Sequence, residues 1–200
     1  MKKIFFSFLL ILFATGVYSQ KQKSGPISLK KLAGDTIIWK QDSLLKIEDF
    51  KFKGNKGPVI EGLACTGVLL YPKEKNAMLD FYVEAIFIKS KSYMKENSAY
   101  TLKHEQLHFD ITELYARKLR QKLLQTDFKK VSNIVAVIQG DYNRINQELE
   151  REQEKYDDDT QHGMNPAKQQ VWEDDIKKQL DDLDNYRSTE INVANNNVAK

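Results

Sequence analysis

The sequence predicts an α+β fold in a single domain. Segments with alternating polar and apolar residues are confined to the first half, and apolar residues recur at three- and four-residue steps through the second half. Strands followed by helices favour α+β, whereas strands that alternate with helices would favour a doubly wound parallel sheet. A chain of 200 residues is long enough for one domain with a sizeable core.

The first 19 residues have the composition of an export signal. Lys2 and Lys3 precede an apolar run at residues 4–14 that is short for a membrane span, and Ser19 supplies a small residue at a cleavage site. We therefore expect a signal peptide at residues 1–19 and an exported protein, periplasmic or extracellular, without a stable membrane anchor. A retained anchor is the alternative.

Charge and cysteine content exclude two classes of protein. Removal of residues 1–19 takes the basic residues from 31 to 29 against 28 acidic ones, so the net charge falls from +3 to +1. That balance gives no support for nucleic-acid binding. Cys65 is the only cysteine, so no internal disulfide can form, and its apolar surroundings predict buried strand packing.

Four segments of the first half have the alternation and the β-branched and aromatic content of strands. The predicted strands cover residues 36–40, 49–52, 59–71 and 78–88. The last two are long and are joined by a polar turn at residues 72–76, which favours an antiparallel pair.

The second half predicts at least three helices. Residues 100–124 carry a helical apolar stripe and follow a candidate N-cap at Asn97 or Ser98. A second stripe runs over residues 131–149, and a third begins at Pro166, which suits the first position of a helix. The polar segment 188–200 is predicted to be disordered, so the folded domain is expected at residues 20–187.

The first predicted helix contains H-E-x-x-H, and two of the three histidines of the chain lie in it. Residues four apart share a helix face, so His104 and His108 can present two imidazole nitrogens to one zinc ion. Glu105 would then lie beside the metal without binding it and could take a proton from a zinc-bound water. The alternative is a chance match on a charged helix.

A catalytic zinc site needs a third protein ligand. His162 is the remaining histidine, and it lies in a turn-like segment after the second helix. The alternatives are the neighbouring carboxylates Asp157, Asp158 and Asp159, one of which could instead orient a ligand imidazole. Asp110 and Glu113 are rotated away from His108 around the helix, by about 200° and about 140°, and are discounted.

With these motifs in place, the chain resembles a bacterial family of secreted zinc-dependent proteases whose shared domain contains H-E-x-x-H and has no assigned function. The likeness covers roughly residues 35–185, and it is carried by residues 102–111, Tyr156, Asp157, Thr160, His162, Gly163 and Trp172, with Trp39, Asp49 and Phe50 in the strand-rich part. The resemblance implies a single zincin-like metallohydrolase domain whose active-site helix is followed by two or more further helices.

The mechanism expected for such a site is hydrolysis of a peptide or protein substrate. His104, His108 and His162 would hold Zn²⁺, Glu105 would be the general base, and Tyr156 would stabilise the oxyanion. A substrate strand could pair with the sheet edge near residues 81–88. The alternatives are a non-catalytic periplasmic binding or scaffold protein with a structural metal, and a zinc amidase that acts on cell-wall peptides.

Overall fold

The computed structural model describes residues 34–53, 61–73, 79–95 and 98–193. The predicted signal peptide at residues 1–19 lies outside the described residues. The described chain is α+β, as predicted, because antiparallel strands in its first half precede three long α-helices. Among these residues, no helix combines the length and the apolar character needed to cross a membrane.

The main sheet is built around one central strand. Its strands are β1 (Thr36–Ile38), β3 (Thr66–Pro72), β4 (Asp80–Ile88) and β6 (Glu190–Asn192). Strand β3 pairs antiparallel with β4 along residues 81–87, and β1 and β6 pair with the two ends of β4. Because β4 is paired along both edges, the expectation that a substrate strand adds near residues 81–88 is wrong.

A separate two-stranded ribbon lies next to the sheet. It consists of β2 (Gly62–Leu63) and β5 (Tyr93–Met94), which are antiparallel. The single strand predicted at residues 59–71 is therefore interrupted. At the break, the Ala64 amide donates to the Glu105 carboxylate and the Cys65 amide donates to Ser92 Oγ, so two backbone donors are diverted from the sheet ladder to side chains.

The helices are α1 (Ala99–Gln125), α2 (Ile134–Thr160) and α3 (Pro166–Asp182). Ser98 caps α1 by accepting from the Thr101 amide, and Asn165 caps α3, in which Pro166 takes the first position. Helix α1 packs on the sheet, and α2 and α3 pack on α1. The apolar stripes on which the three helices were predicted form this core, with Phe109, Ile111 and Leu114 fully buried.

Two predictions about local structure are wrong. Residues 49–52 do not form a strand: Ile47–Asp49 is a 3₁₀ turn, and Phe50 packs edge-on against Phe87 of β4. The segment after Ser188 is ordered as far as Val193, because Ile191 and Val193 enter the core when β6 pairs with β4. Residues 194–200 lie outside the described residues.

Cys65 is buried, as predicted, in a small apolar cluster with Leu69, Ile86 and Ile88. Burial raises the pKa of its thiol to about 11, so the thiol stays protonated at neutral pH. It is a packing residue and not a nucleophile.

Candidate metal centre

Helix α1 presents His104 and His108 on one face, as their spacing predicts, with ring centroids 4.9 Å apart. Helix α2 runs beside α1 and supplies a carboxylate between the two rings. Asp157 Oδ1 lies 3.2 Å from His104 Nε2 and 3.1 Å from His108 Nε2. Ligands about 2 Å from one ion at tetrahedral angles are about 3.3 Å apart, so the two distances from Asp157 fit a metal site. One ligand atom from each of the three residues lies within 4.8 Å of the other two.

The aspartate run belongs to a helix and not to the predicted turn. Helix α2 continues to Thr160, where Gln161 ends it in the left-handed conformation. One residue of the run, Asp157, therefore faces α1, whereas Asp158 is exposed and Asp159 accepts from the Trp172 indole. The sequence could not decide which of the three aspartates would bind the metal. Their positions around helix α2 identify Asp157.

A glutamine orients each histidine by contacting Nδ1, the ring nitrogen that faces away from Asp157. His104 Nδ1 is 3.1 Å from Gln169 Oε1 on α3, and His108 Nδ1 contacts Gln153 Oε1 on α2. A second hydrogen bond fixes the orientation of each glutamine side-chain amide. Gln153 Nε2 donates to the His108 carbonyl at 2.9 Å, and Gln169 Nε2 donates to Glu173 at 3.0 Å.

This arrangement sets the tautomer of both imidazoles. A glutamine oxygen is an acceptor only, so each Nδ1 carries its proton toward a glutamine, and each Nε2, which faces Asp157, is the nitrogen that can release a proton and bind a metal. The sequence analysis missed Gln153 and Gln169. For Gln153 a signal existed, because it lies one helical turn before Asp157 and shares its face. For Gln169 we find none in the sequence.

Glu105 is buried against the ribbon next to the histidines. Its side chain is 3% exposed, and Oε2 accepts the Ala64 amide at 2.6 Å. A Cβ on Gly62 would overlap Oε1 and would lie 3.0 Å from the carboxylate carbon, so only glycine leaves room there. Burial raises the pKa of the Glu105 carboxyl, and the two neighbouring histidines and the Ala64 amide partly oppose that shift.

Tyr156 does not occupy the position that its predicted role requires. The side chain is fully buried, and its hydroxyl lies 2.7 Å from His104 Nδ1 and 2.6 Å from Gln169 Oε1. It contacts the ring nitrogen that faces away from Asp157, so it cannot reach an oxyanion on the Nε2 side. Burial raises the pKa of this phenol far above its ordinary value, and we correct its role to the positioning of His104.

His162 lies beside the three clustered residues and not among them. The atoms of His104, His108 and Asp157 lie within 4.8 Å of one another, and His162, 74% exposed, has its Nδ1 3.7 Å from Asp157 Oδ1. Gln161 and His162 both have a φ of 53°. Such left-handed conformations cost non-glycine residues about 1–3 kcal/mol each and persist only where the surroundings impose them.

The charges at the centre suit a divalent cation. With a metal bound, the two imidazoles would be neutral, and Asp157 and Glu105 would give the group a charge of −2 when both carboxyls are ionised. The other carboxylates near the motif are committed elsewhere, as predicted. Asp110 accepts from the Trp39 indole at 2.7 Å, and Glu113 pairs with Arg117 and Arg120.

Metal-free, the same centre binds protons strongly. Burial alone would lower the pKa of His108, but the hydrogen bond and the negative charge of Asp157 outweigh burial and raise that pKa to about 9. Burial would raise the pKa of Asp157, and the hydrogen bonds from the two histidines outweigh it and hold that pKa well below the ordinary value. A cation and a proton therefore compete for these atoms.

Comparison with known proteins finds similarity to one family, and that family has no assigned activity. Residues 89–163 match a bacterial protein family of unknown function (DUF922). The matched segment includes His104, Glu105, His108, Asp157 and His162. No curated protein and no solved structure matched the chain.

Proposed function

We propose that this protein is an exported zinc-dependent hydrolase that cleaves peptide bonds. The observation that carries the proposal is the convergence of His104 Nε2, His108 Nε2 and Asp157 Oδ1 at ligand spacing, with both imidazoles locked in the tautomer that metal binding needs. The interpretation of α1 as a zincin-like active-site helix is part of this proposal.

The donor set fits zinc. Two imidazole nitrogens and one carboxylate oxygen are ligands of catalytic zinc, and three protein ligands leave one position open. His104, His108 and Asp157 would hold the ion. A bound ion would supply a Lewis acid that acidifies water and polarises a carbonyl oxygen.

Glu105 is the residue that moves protons in this proposal. Its raised pKa brings the carboxyl closer to neutral pH, where a general base works best. Glu105 takes a proton from the attacking water at its carboxylate and delivers it to the nitrogen of the departing amine. The Ala64 amide and the space at Gly62 hold the carboxylate in place for both transfers.

A catalytic site explains two features better than a structural metal would. Structural zinc is normally enclosed by four protein ligands, whereas the Asp157 side chain is 31% exposed and so leaves access from solvent. A structural site also has no need of a buried glutamate at its side.

The test is Glu105→Gln in the zinc-loaded protein, with casein and peptidoglycan fragments as substrates. We expect the variant to keep zinc and to lose hydrolysis by at least about 100-fold, because a general base contributes about 10²–10⁴. Casein cleavage by the parent supports a peptidase, and cleavage of peptidoglycan fragments alone supports a cell-wall amidase.

The matched control is Glu154→Gln, the same change at an exposed glutamate on α2. It should leave both zinc content and turnover unchanged. Full activity in Glu105→Gln would contradict the mechanism. Zinc in the parent without cleavage of either substrate would favour the non-catalytic binding or scaffold protein.

A further inference from the structure

The surface beside Asp157 carries one side chain that the site has not yet used. His162 is 74% exposed, yet its Nδ1 lies 3.7 Å from Asp157 Oδ1, the oxygen that both buried histidines share. An exposed histidine without a role would be free to lie anywhere in solvent.

The backbone around His162 is held in place by several contacts. The His162 amide donates to the Asp157 carbonyl at 2.8 Å, and the Asn165 amide donates to the Thr160 carbonyl at 2.8 Å. Gly163 has a φ of 80° and lies so close to the His104 ring that a Cβ there would be 3.1 Å from Cγ. The turn is therefore fixed directly against a candidate ligand, and it carries the left-handed His162 with it.

The position of His162 suits a donor to substrate better than a metal ligand. The three clustered atoms already satisfy the ligand spacing, and His162 lies outside that cluster. Asp157 is the most exposed of the three clustered side chains, at 31% against 6% and 12% for His104 and His108, and His162 lies next to it, so a substrate that reached the centre from solvent would approach beside His162. An oxygen that enters beside Asp157 comes within reach of Nδ1.

We propose that His162 Nδ1 donates a hydrogen bond to the carbonyl oxygen of a bound amide and so stabilises the negative charge that develops there during hydrolysis. This inference rests on the proposed function. It moves to His162 the oxyanion role that the sequence assigned to Tyr156, because the His162 imidazole is exposed beside Asp157 and the Tyr156 phenol is fully buried.

The experiment measures binding and does not depend on turnover. The probe is acetohydroxamate, a small ligand with a carbonyl oxygen, titrated calorimetrically into zinc-loaded full-length protein. Zinc affinity is measured in parallel by competition with a chelator. The variants are His162→Ala, His162→Gln, which keeps an N–H donor, and Gln161→Ala, which changes the neighbouring exposed residue of the same turn.

We expect His162→Ala to weaken acetohydroxamate binding about 10-fold or more, as for loss of one hydrogen bond to a charged group. Zinc affinity should change less than about twofold, because His162 is not a ligand in this account. His162→Gln should recover part of the binding, and Gln161→Ala should match the parent.

Two results overturn the inference and leave the proposed function standing. One is acetohydroxamate binding by His162→Ala that equals the parent. The other is a large loss of zinc in that variant, which would make His162 a ligand. A parent that takes up no zinc would overturn the proposed function and this inference together.

Discussion

Helix α1 packs on the sheet, and each half of the helix buries its own cluster of ionisable side chains. The N-terminal half of α1 carries His104, Glu105 and His108. The C-terminal half carries Glu113, Arg117 and Arg120, which are at most 3% exposed. Burial is therefore similar in the two clusters, and it does not distinguish a candidate site from a structural one.

Glu113, Arg117 and Arg120 form an arginine cluster in which the charged groups pair with one another and with other groups of the protein. Both Glu113 oxygens accept from Arg120, at 2.8 and 3.1 Å, and Arg117 Nε donates to the same carboxylate at 3.0 Å. The remaining contacts reach other parts of the chain. Arg120 donates to the Val83 and Tyr186 carbonyls, and Arg117 donates to the Leu180 carbonyl. Arg117 also lies 3.8 Å from Asp184 Oδ1 and over the Trp39 ring. The cluster joins the helix, the sheet and the C-terminal segment.

His104, His108 and Asp157 form a histidine cluster, which differs in the partners of its carboxylate. Asp157 pairs there with His104 and His108, whose Nε2 atoms can give up a proton, and these three side chains offer ligand atoms within 4.8 Å of one another between α1 and α2. The comparison teaches that the partner of the carboxylate separates the two clusters. Glu113 pairs with arginines, which stay charged, whereas Asp157 pairs with histidines, which can exchange a proton for a metal ion.

The largest expected effect is on stability, at the arginine cluster. Glu113→Ala leaves two buried guanidinium groups without their carboxylate, so we expect it to lower the free energy of unfolding by about 3–5 kcal/mol. Urea unfolding of the metal-free protein measures this. Glu150→Ala, at an exposed position on α2, is the control and should cost less than about 0.5 kcal/mol. Equal effects of the two variants would show that the cluster is not structural.

A smaller effect on stability is expected at the histidine cluster, and it depends on pH. The folded-state pKa of His108, about 9, lies above the ordinary 6.5. The contribution of protonated His108 to the free energy of unfolding is therefore fully present below pH 6.5 and is lost as the pH rises through 9. We expect the metal-free protein to lose about 1–3 kcal/mol over that window.

Asp157 gives the free energy of unfolding the opposite pH dependence, in a lower pH range. Because its folded-state pKa is lowered, its contribution is present above the ordinary value and is lost as the pH falls through the folded value. Urea unfolding at a series of pH values, with His108→Gln as control, checks both. Stability of the metal-free parent that does not fall between pH 6.5 and 9 would contradict the strong proton binding at this centre.

The smallest expected effect comes from one methyl group at Gly62. Gly62→Ala should displace the Glu105 carboxylate with little change in stability, because the overlapping atom ends a flexible side chain. A displacement of about 1 Å in a catalytic group can cost up to about 100-fold in turnover. Gly140→Ala is the control: nothing lies within 4 Å of its Cβ, and it should add up to about 1 kcal/mol of helix stability. Unchanged turnover in Gly62→Ala would argue against Glu105 as the base.

The sequence was most informative for features that depend on the spacing of residues close together in the chain. The stripes of α1, α2 and α3 and the spacing of His104 and His108 depend on residues within one or two turns of each other, so their placement followed from the chain alone. Ser98 and Pro166 are likewise local signals, and the structure has both at the predicted helix starts.

The errors lie where long-range contacts decide. Asp157 was one of three equivalent carboxylates until the extension of α2 to Thr160 set its phase against α1. Tyr156 was predicted to stabilise an oxyanion, and only the packing of α2 against α1 shows that its hydroxyl contacts the ring nitrogen of His104 that faces away from Asp157. Strand β6 is three residues long and depends on pairing with β4, so composition alone predicted disorder there.

The most direct test of the central claim is metal content per chain in the parent and in Asp157→Asn, with Asp158→Asn as the matched control. The change removes one charge at nearly constant shape, and Asp158 is the exposed neighbour on the same helix. After loading with zinc and removal of excess, we expect about one zinc per chain in the parent and in the control, and almost none in Asp157→Asn. Equal zinc in all three proteins, or none in the parent, would contradict a metal centre formed by His104, His108 and Asp157.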